Sequence, residues 1–271
     1  MASIRHALRS PKGYMLALVL SLAALGSAAT GAGQTLPGLA ASVAAAAVTD
    51  VLARAATRRA FEFPGGAILT GLVVAMILDP YAPVHVAAVA AATGIAAKHL
   101  LRAGSANIFN PAVLGLVLAH LLFGQGESWW GALPGYGVLG LLVVLLPGIW
   151  IADYVNKLPL VLTFLGTYFS LFTLTGLGPA GIEVAEIFRS PGVHMAVFFA
   201  FYMLDDPPTS PARYRDQLWY GALVAAMAYA LFMTTGVVYY LVGALLAGNV
   251  ANSLRVAVRI RQQHAPGAAA Q

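Results

Sequence analysis

The chain has 271 residues, 60% of them hydrophobic and only 9% charged, with a mean hydropathy of +0.80. Soluble domains carry roughly 25% charged residues, so this composition excludes an ordinary soluble fold and points to lipid. No cysteine is present, which excludes disulfides, thiolate zinc sites and cysteine-held iron–sulfur clusters. The formal net charge of +5 would suit nucleic acid, but the positions of the cations argue for membrane topology instead.

In chain order, the basic head "MASIRHALRSPKG" (1–13) precedes an apolar run and imitates a secretory signal. Because everything after it is equally apolar, it reads as a cytoplasmic tail leading into a first membrane helix. Ten apolar segments are long enough to span a bilayer, some only as broken helices: 14–30, 36–56, 64–79, 82–101, 107–123, 135–153, 158–176, 190–205, 216–234 and 236–256. Residues 257–271 form a second tail. The run "GSAATGAG" (26–33) imitates a phosphate loop in composition but lacks the lysine and joins two spans.

With the N-terminus inside, 14 of the 15 lysines and arginines fall on the cytoplasmic side, and only Arg189 falls outside. Both termini are therefore expected in the cytoplasm of a cell with a cytoplasmic (inner) membrane, and nucleic acid is not an expected partner. The ten spans divide into 14–123 and 135–256. Five helices per half would make the second half an inverted copy of the first. "ILDP" at 77–80 and "LDDPP" at 204–208 end the third span of each half. Such broken third helices bring a binding region near the midplane between the halves. The expected fold class is thus an all-α polytopic membrane protein, a single transmembrane domain over 14–256, built as a 5+5 inverted repeat.

The polar residues at the breaks are the candidate site. Asn110 before Pro111 is a helix start, with Asn as N-cap and Pro at the first helical position. Free N–H groups there would suit ring carbonyls or a phosphate, with Asn107 and Asn110 adding side-chain donors and acceptors. The bland alternative is an interfacial cap. Ser210-Pro211 repeats the cap pattern. Asp79 and Asp206 sit at helix C-termini, where the dipole disfavours an anion; each is either a ligand clamp or an Asx-Pro turn, and Asp205 is expected to be hydrated. His85, His120 and His194 fall at outer ends of spans and could bind haem or a metal, although they lack the i, i+4 ligand spacing. His99 falls at an inner end. Trp129, Trp130 and Tyr136 read as an interfacial aromatic belt.

Three stretches carry a family resemblance: "GGAILTGLVVAMILDP" (65–80), "KHLLRAGSANIFNPAVLG" (98–115) and "FYMLDDPPTSP" (201–211). In that order they resemble the RnfD/NqrB family of membrane subunits, whose patterns read "LxTGLLLALxLPP", "GKHxFGGLGxNIFNPA" and "FMATDPVTSP". The resemblance covers most of 60–256. It implies a ten-helix inverted repeat and a place in flavin-based electron transport complexes with partner subunits. Family members esterify FMN to the threonine of a Ser-Gly-Ala-Thr motif, and residues 113–201 contain none. Covalent FMN is therefore not expected, whereas non-covalent FMN or riboflavin is, as in a shortened stand-alone relative. Under that reading Asn107 and Asn110 contact the ring edge, Thr70 and Thr209 donate hydroxyls, Ser210 joins them among the cofactor-binding residues, and Asp206 fixes or protonates the ligand. A transporter or channel with no redox centre, and a haem subunit using His120 and His194, are the alternatives. Whether the chain is itself an enzyme or one component of an oxidoreductase is open at this stage.

Overall fold

The computed structural model describes residues 11–103, 106–178, 184–236 and 239–263. Among these, ten apolar helices follow one another. The first five are α1 (Pro11–Thr30), α2 (Ala32–Ala56), α3 (Gly65–Ile77), α4 (Val84–Leu100) and α5 (Pro111–Phe123). The second five are α6 (Gly137–Tyr154), α7 (Leu158–Gly176), α8 (Gly192–Phe199), α9 (Tyr214–Thr235) and α10 (Tyr240–Gln263). Six of them are long and apolar enough to cross a membrane; α3, α4, α5 and the segment Gly192–Leu204 are shorter. This is a multi-pass membrane protein. A two-residue antiparallel ladder, β1 (Arg102–Ala103) with β2 (Ala106–Asn107), lies before α5.

The outer faces carry exposed large apolar residues such as Leu20, Leu52, Leu139, Leu162 and Leu174, as lipid requires. Lipid tails are as apolar as leucine, so helices associate here through close packing rather than the hydrophobic effect. Glycines supply the closeness where α4 meets α5. A Cβ on Gly94 would collide with the Pro111 carbonyl, and one on Gly115 with the Ala90 carbonyl. Gly94→Ala and Gly115→Ala are each expected to push the pair apart, costing roughly 1–3 kcal/mol as overpacking typically does. Thermal melting in detergent reads this, and unchanged melting in both would refute it. The centre of the second half is aromatic, with Phe164, Tyr168, Phe172, Phe198 and Phe199 fully buried.

The packing pairs recur between the halves. In the first, α2 packs on α3 and α4, α1 on α3, and α4 on α5. In the second, α7 packs on α9 and on the end of the eighth helix, α6 on α8, and α9 on α10.

Two helix ends differ from expectation. The eighth helix does not stop as a regular α-helix: Ala200–Leu204 widens into a π-turn, a form frequent at functional sites. No helix starts at Ser210-Pro211; α9 begins at Tyr214 with Arg213 before it, because Ser210 Oγ donates back to the Asp206 carbonyl (2.8 Å) instead. The last helix runs on to Gln263, past the expected boundary at 256.

Candidate functional site

The loops of one end converge. Lys12, Gly65, Lys98, Asn107, Val155 and Asp206 come from six separate segments, yet they line one cavity of about 470 Å³. That volume lies within the range of ligand sites, roughly 300–1,000 Å³. The walls come from both halves: Leu69, Thr70, Val73 and Asn110 from the first, Ile151, Tyr202 and Met203 from the second. Four sequence-expected residues, Thr70, Asn107, Asn110 and Asp206, thus come together.

Asn110 is the joint between the halves. Its Oδ1 accepts from the Ala112 and Val113 amides (3.0 and 3.3 Å), the N-cap geometry expected from Asn-Pro. Its Nδ2 donates to the Met203 carbonyl (3.2 Å), a carbonyl of the π-turn, and its backbone N–H donates to Asn249 Oδ1 (2.9 Å) on α10. Asn249 in turn donates to the Tyr220 hydroxyl (2.7 Å). The fold therefore already uses most of Asn110's hydrogen-bonding capacity. Asn107 has no such engagement and is the freer amide of the two.

The threonines do not donate as anticipated. Thr70 Oγ1 gives its hydrogen to the Gly66 carbonyl (3.0 Å), so toward a ligand it can only accept. Thr209 Oγ1 donates to Asp206 Oδ2 (2.9 Å), which makes Thr209 and Ser210 supports of the Asp206 turn, and neither lines the cavity. Asp206 Oδ1 receives no donor from the described residues. Burial pushes the Asp206 carboxyl above its ordinary range, opposed by the Thr209 bond and by Lys157.

Asp205 is a correction. It is 1% exposed rather than hydrated, and neither carboxyl oxygen receives a hydrogen bond. With both oxygens buried and no donor at either, the neutral acid is the form that fits. An ionised carboxylate with no donor would cost several kcal/mol. Lys157, also buried, explains why the turn holds: its ammonium donates to the Ser210 and Pro211 carbonyls (3.2 and 2.6 Å). Lys157→Met leaves both carbonyls unmet and is expected to cost about 2–4 kcal/mol, whereas Asp205→Asn should melt within about 1 kcal/mol of wild type. Equal melting of Lys157→Met and wild type would refute the clamp.

The opposite end is built differently. Asp79 Oδ1 accepts from the Tyr81 amide (2.9 Å) in a simple Asx-Pro turn, and it does not line the cavity. The linker between the halves straps the end of α3. The amides of Ser128 and Trp129 donate to the Ile77 carbonyl (2.8 and 3.2 Å), and Trp130 Nε1 donates to the Ala75 carbonyl (2.8 Å). Trp129 and Trp130 are consequently buried in this strap, at 1% and 4% exposure, and are not an interfacial belt. Tyr136 is exposed, its hydroxyl donating to the Leu25 carbonyl.

The histidines are dispersed. His120 Nδ1 pairs with the Gln125 carbonyl, and the ring lies 4.1 Å from that of Tyr239. His194 Nε2 pairs with the Gly137 carbonyl, and His85 packs edge-on against Phe123. Among the described residues no three potential ligands form a metal-sized cluster. His99 instead joins Arg54 and Lys98 around Asp50, a buried carboxylate on α2 (2.8, 3.0 and 3.1 Å). The hydropathy of α2 hid this centre: one acid among alanines gives no spacing signal, although Arg54 four residues on is a helix-pair cue.

Residues 5–134 match the model of the NQR2, RnfD, RnfE family, a stretch that covers the first five helices and the strap. The match supports RnfD/NqrB-type membership. No curated protein matches the chain.

Proposed function

As an RnfD/NqrB-type membrane protein, we propose, this chain holds a flavin, FMN or riboflavin, non-covalently in the cavity between its halves and passes electrons to a partner subunit. The single observation that carries the reading is the cavity itself: it takes walls from both halves and polar groups from the α4–α5 and α8–α9 breaks. Its lining suits a planar, polar-edged ligand. Gly65 and Gly66 leave room beside Thr70; Leu69, Val73 and Ile151 offer apolar faces; Asn107 can reach ring carbonyls, and Asp206 Oδ1 can accept a ring N–H. Lys12 and Lys98 at the same cavity supply cations for a phosphate.

The recurring packing pairs and the two strapped third-helix ends support a 5+5 inverted repeat. Each break is capped from outside its own half, α3 by the linker and the eighth helix by Asn110 of the first half. The cavity end, which also carries both described chain ends, faces the cytoplasm in this reading because the cations collect there. Among the described residues the histidines share no common site that would favour a haem subunit.

The cysteine-free chain allows a clean test. Thr70→Cys introduces the sole thiol, inside the cavity. A membrane-impermeant maleimide should label it from the cytoplasmic face, and added FMN or riboflavin should slow that labelling. Labelling that neither flavin slows would count against the site.

A further inference from the structure

The start of α9 and the end of α10 meet at the cavity end of the bundle. Asp216, buried in the first turn of α9, accepts from both Nη atoms of Arg259 (2.6 and 2.9 Å). Arg255, one turn earlier on α10, reaches the same carboxylate (2.9 Å), and its guanidinium lies 4.6 Å over the Trp219 ring. Arg213 stands within electrostatic reach of Asp216 as well. Arg215 lies four residues before Trp219, so the two share one face of α9, and both are exposed.

Four arginines thus gather about one carboxylate, an excess of three positive charges. Counting Asp153 as well, which shares a groove with Tyr214, leaves an excess of two. Holding α9 to α10 needs only Arg255 and Arg259. Even these keep 34% and 38% of their side chains exposed. Arg213 and Arg215 form no ion pair among the described residues. Topological bias accounts for cations at this end, but not for their gathering against a tryptophan.

Beside the Arg255–Arg259 row, the outer surface of α10 is apolar. Val250, Leu254 and Val258 recur every four residues and are 40%, 63% and 52% exposed. Trp219 marks the level where head groups begin, as interfacial tryptophans do. The complementary ligand therefore carries a phosphate for the guanidinium groups and an alkyl chain for the stripe.

We propose that this face binds an anionic diacyl phospholipid from the leaflet at the cavity end. Its phosphate meets Arg213 and Arg215, Arg255 and Arg259 complete the positive field, and an acyl chain lies along Leu254 and Val250. An acidic protein surface would match the arginines but would not reach the stripe inside the bilayer. A zwitterionic lipid brings a cation of its own, which the arginines repel.

The test is native mass spectrometry of the full chain after incubation with an equimolar mixture of phosphatidylglycerol, phosphatidylethanolamine and phosphatidylcholine. Phosphatidylglycerol should be retained preferentially, and less so as ionic strength is raised during incubation. The double variant Arg213→Gln/Arg215→Gln, at exposed positions outside the clamp, should lower that preference about tenfold, the worth of one charge-assisted hydrogen bond. Arg213→Lys/Arg215→Lys keeps the charge and should retain most of the preference. Arg189→Gln, exposed at the opposite end, should leave it unchanged. Glycerol phosphate, which has no acyl chain, should not displace the lipid. Equal retention of the three lipids, an unchanged preference in the double glutamine variant, displacement by glycerol phosphate, or tighter retention of polyglutamate than of phosphatidylglycerol would overturn the assignment. None of the substituted positions lines the cavity, so this result and the flavin test stand independently.

Discussion

Asp206→Leu should strip the cavity of flavin, leaving the purified protein with less than about a tenth of the wild-type content. The change removes the acceptor Oδ1 and the charge together, and an interaction of that kind is worth roughly 1.5–3 kcal/mol. Asp206→Asn keeps an acceptor for Thr209 and should retain an intermediate amount. Asp79→Leu is the control: its carboxyl serves only its own turn on the opposite end, so flavin content should stay at wild type. Asn110→Leu should lower both content and melting temperature, because it removes an N-cap worth about 1 kcal/mol and frees the Met203 carbonyl. Flavin extraction and thermal melting on the same preparations separate the two effects. Loss of flavin in Asp79→Leu equal to that in Asp206→Leu would defeat the localisation.

The second large effect is a pH dependence at the other end. Glu127 lies in the strap, with Oε2 accepting from Trp129 Nε1 (2.9 Å) and Oε1 buried without a partner. Burial pushes its pKa up to about 8 from 4.5, the Trp129 bond opposing. The folded state then holds a proton that the unfolded chain has released, so stability falls as pH rises from 4.5 to 8. Glu127→Gln keeps a neutral acceptor for Trp129 and removes the titration. Asp206 slopes the same way, and therefore the difference between wild type and variant is the quantity to follow. The variant's melting temperature should fall less steeply across pH 5–8 and stand above wild type at pH 8. Parallel profiles would contradict the protonated strap.

Much of this architecture was legible in the chain. Ten apolar segments, the Asn110-Pro111 helix start and the two Asp-Pro breaks are local signals, written in hydropathy, capping chemistry and proline's missing N–H. What could not be read were the non-local partners. Nothing near Trp129 and Trp130 says that their amide and indole groups close the end of α3. Nothing near Asp205 says that the π-turn folds it inward and away from water. Thr70 and Thr209 lost their assigned donor role for the same reason: their hydroxyls find carbonyl and carboxylate acceptors within four residues, a competition that residue type alone does not reveal. Asp50 was passed over because a charge inside a long apolar helix is judged against lipid until its partners, Lys98 and His99 on α4, are brought beside it.

The central claim, a non-covalent flavin between the halves, is tested most directly by acid precipitation of the protein purified in mild detergent. The supernatant is assayed for flavin and the denatured chain for intact mass. The account predicts flavin absorbance in the native protein, its complete transfer to the supernatant, and a chain mass that agrees with the sequence. A native protein with no flavin absorbance, or a chain that keeps the mass of one FMN, would contradict it.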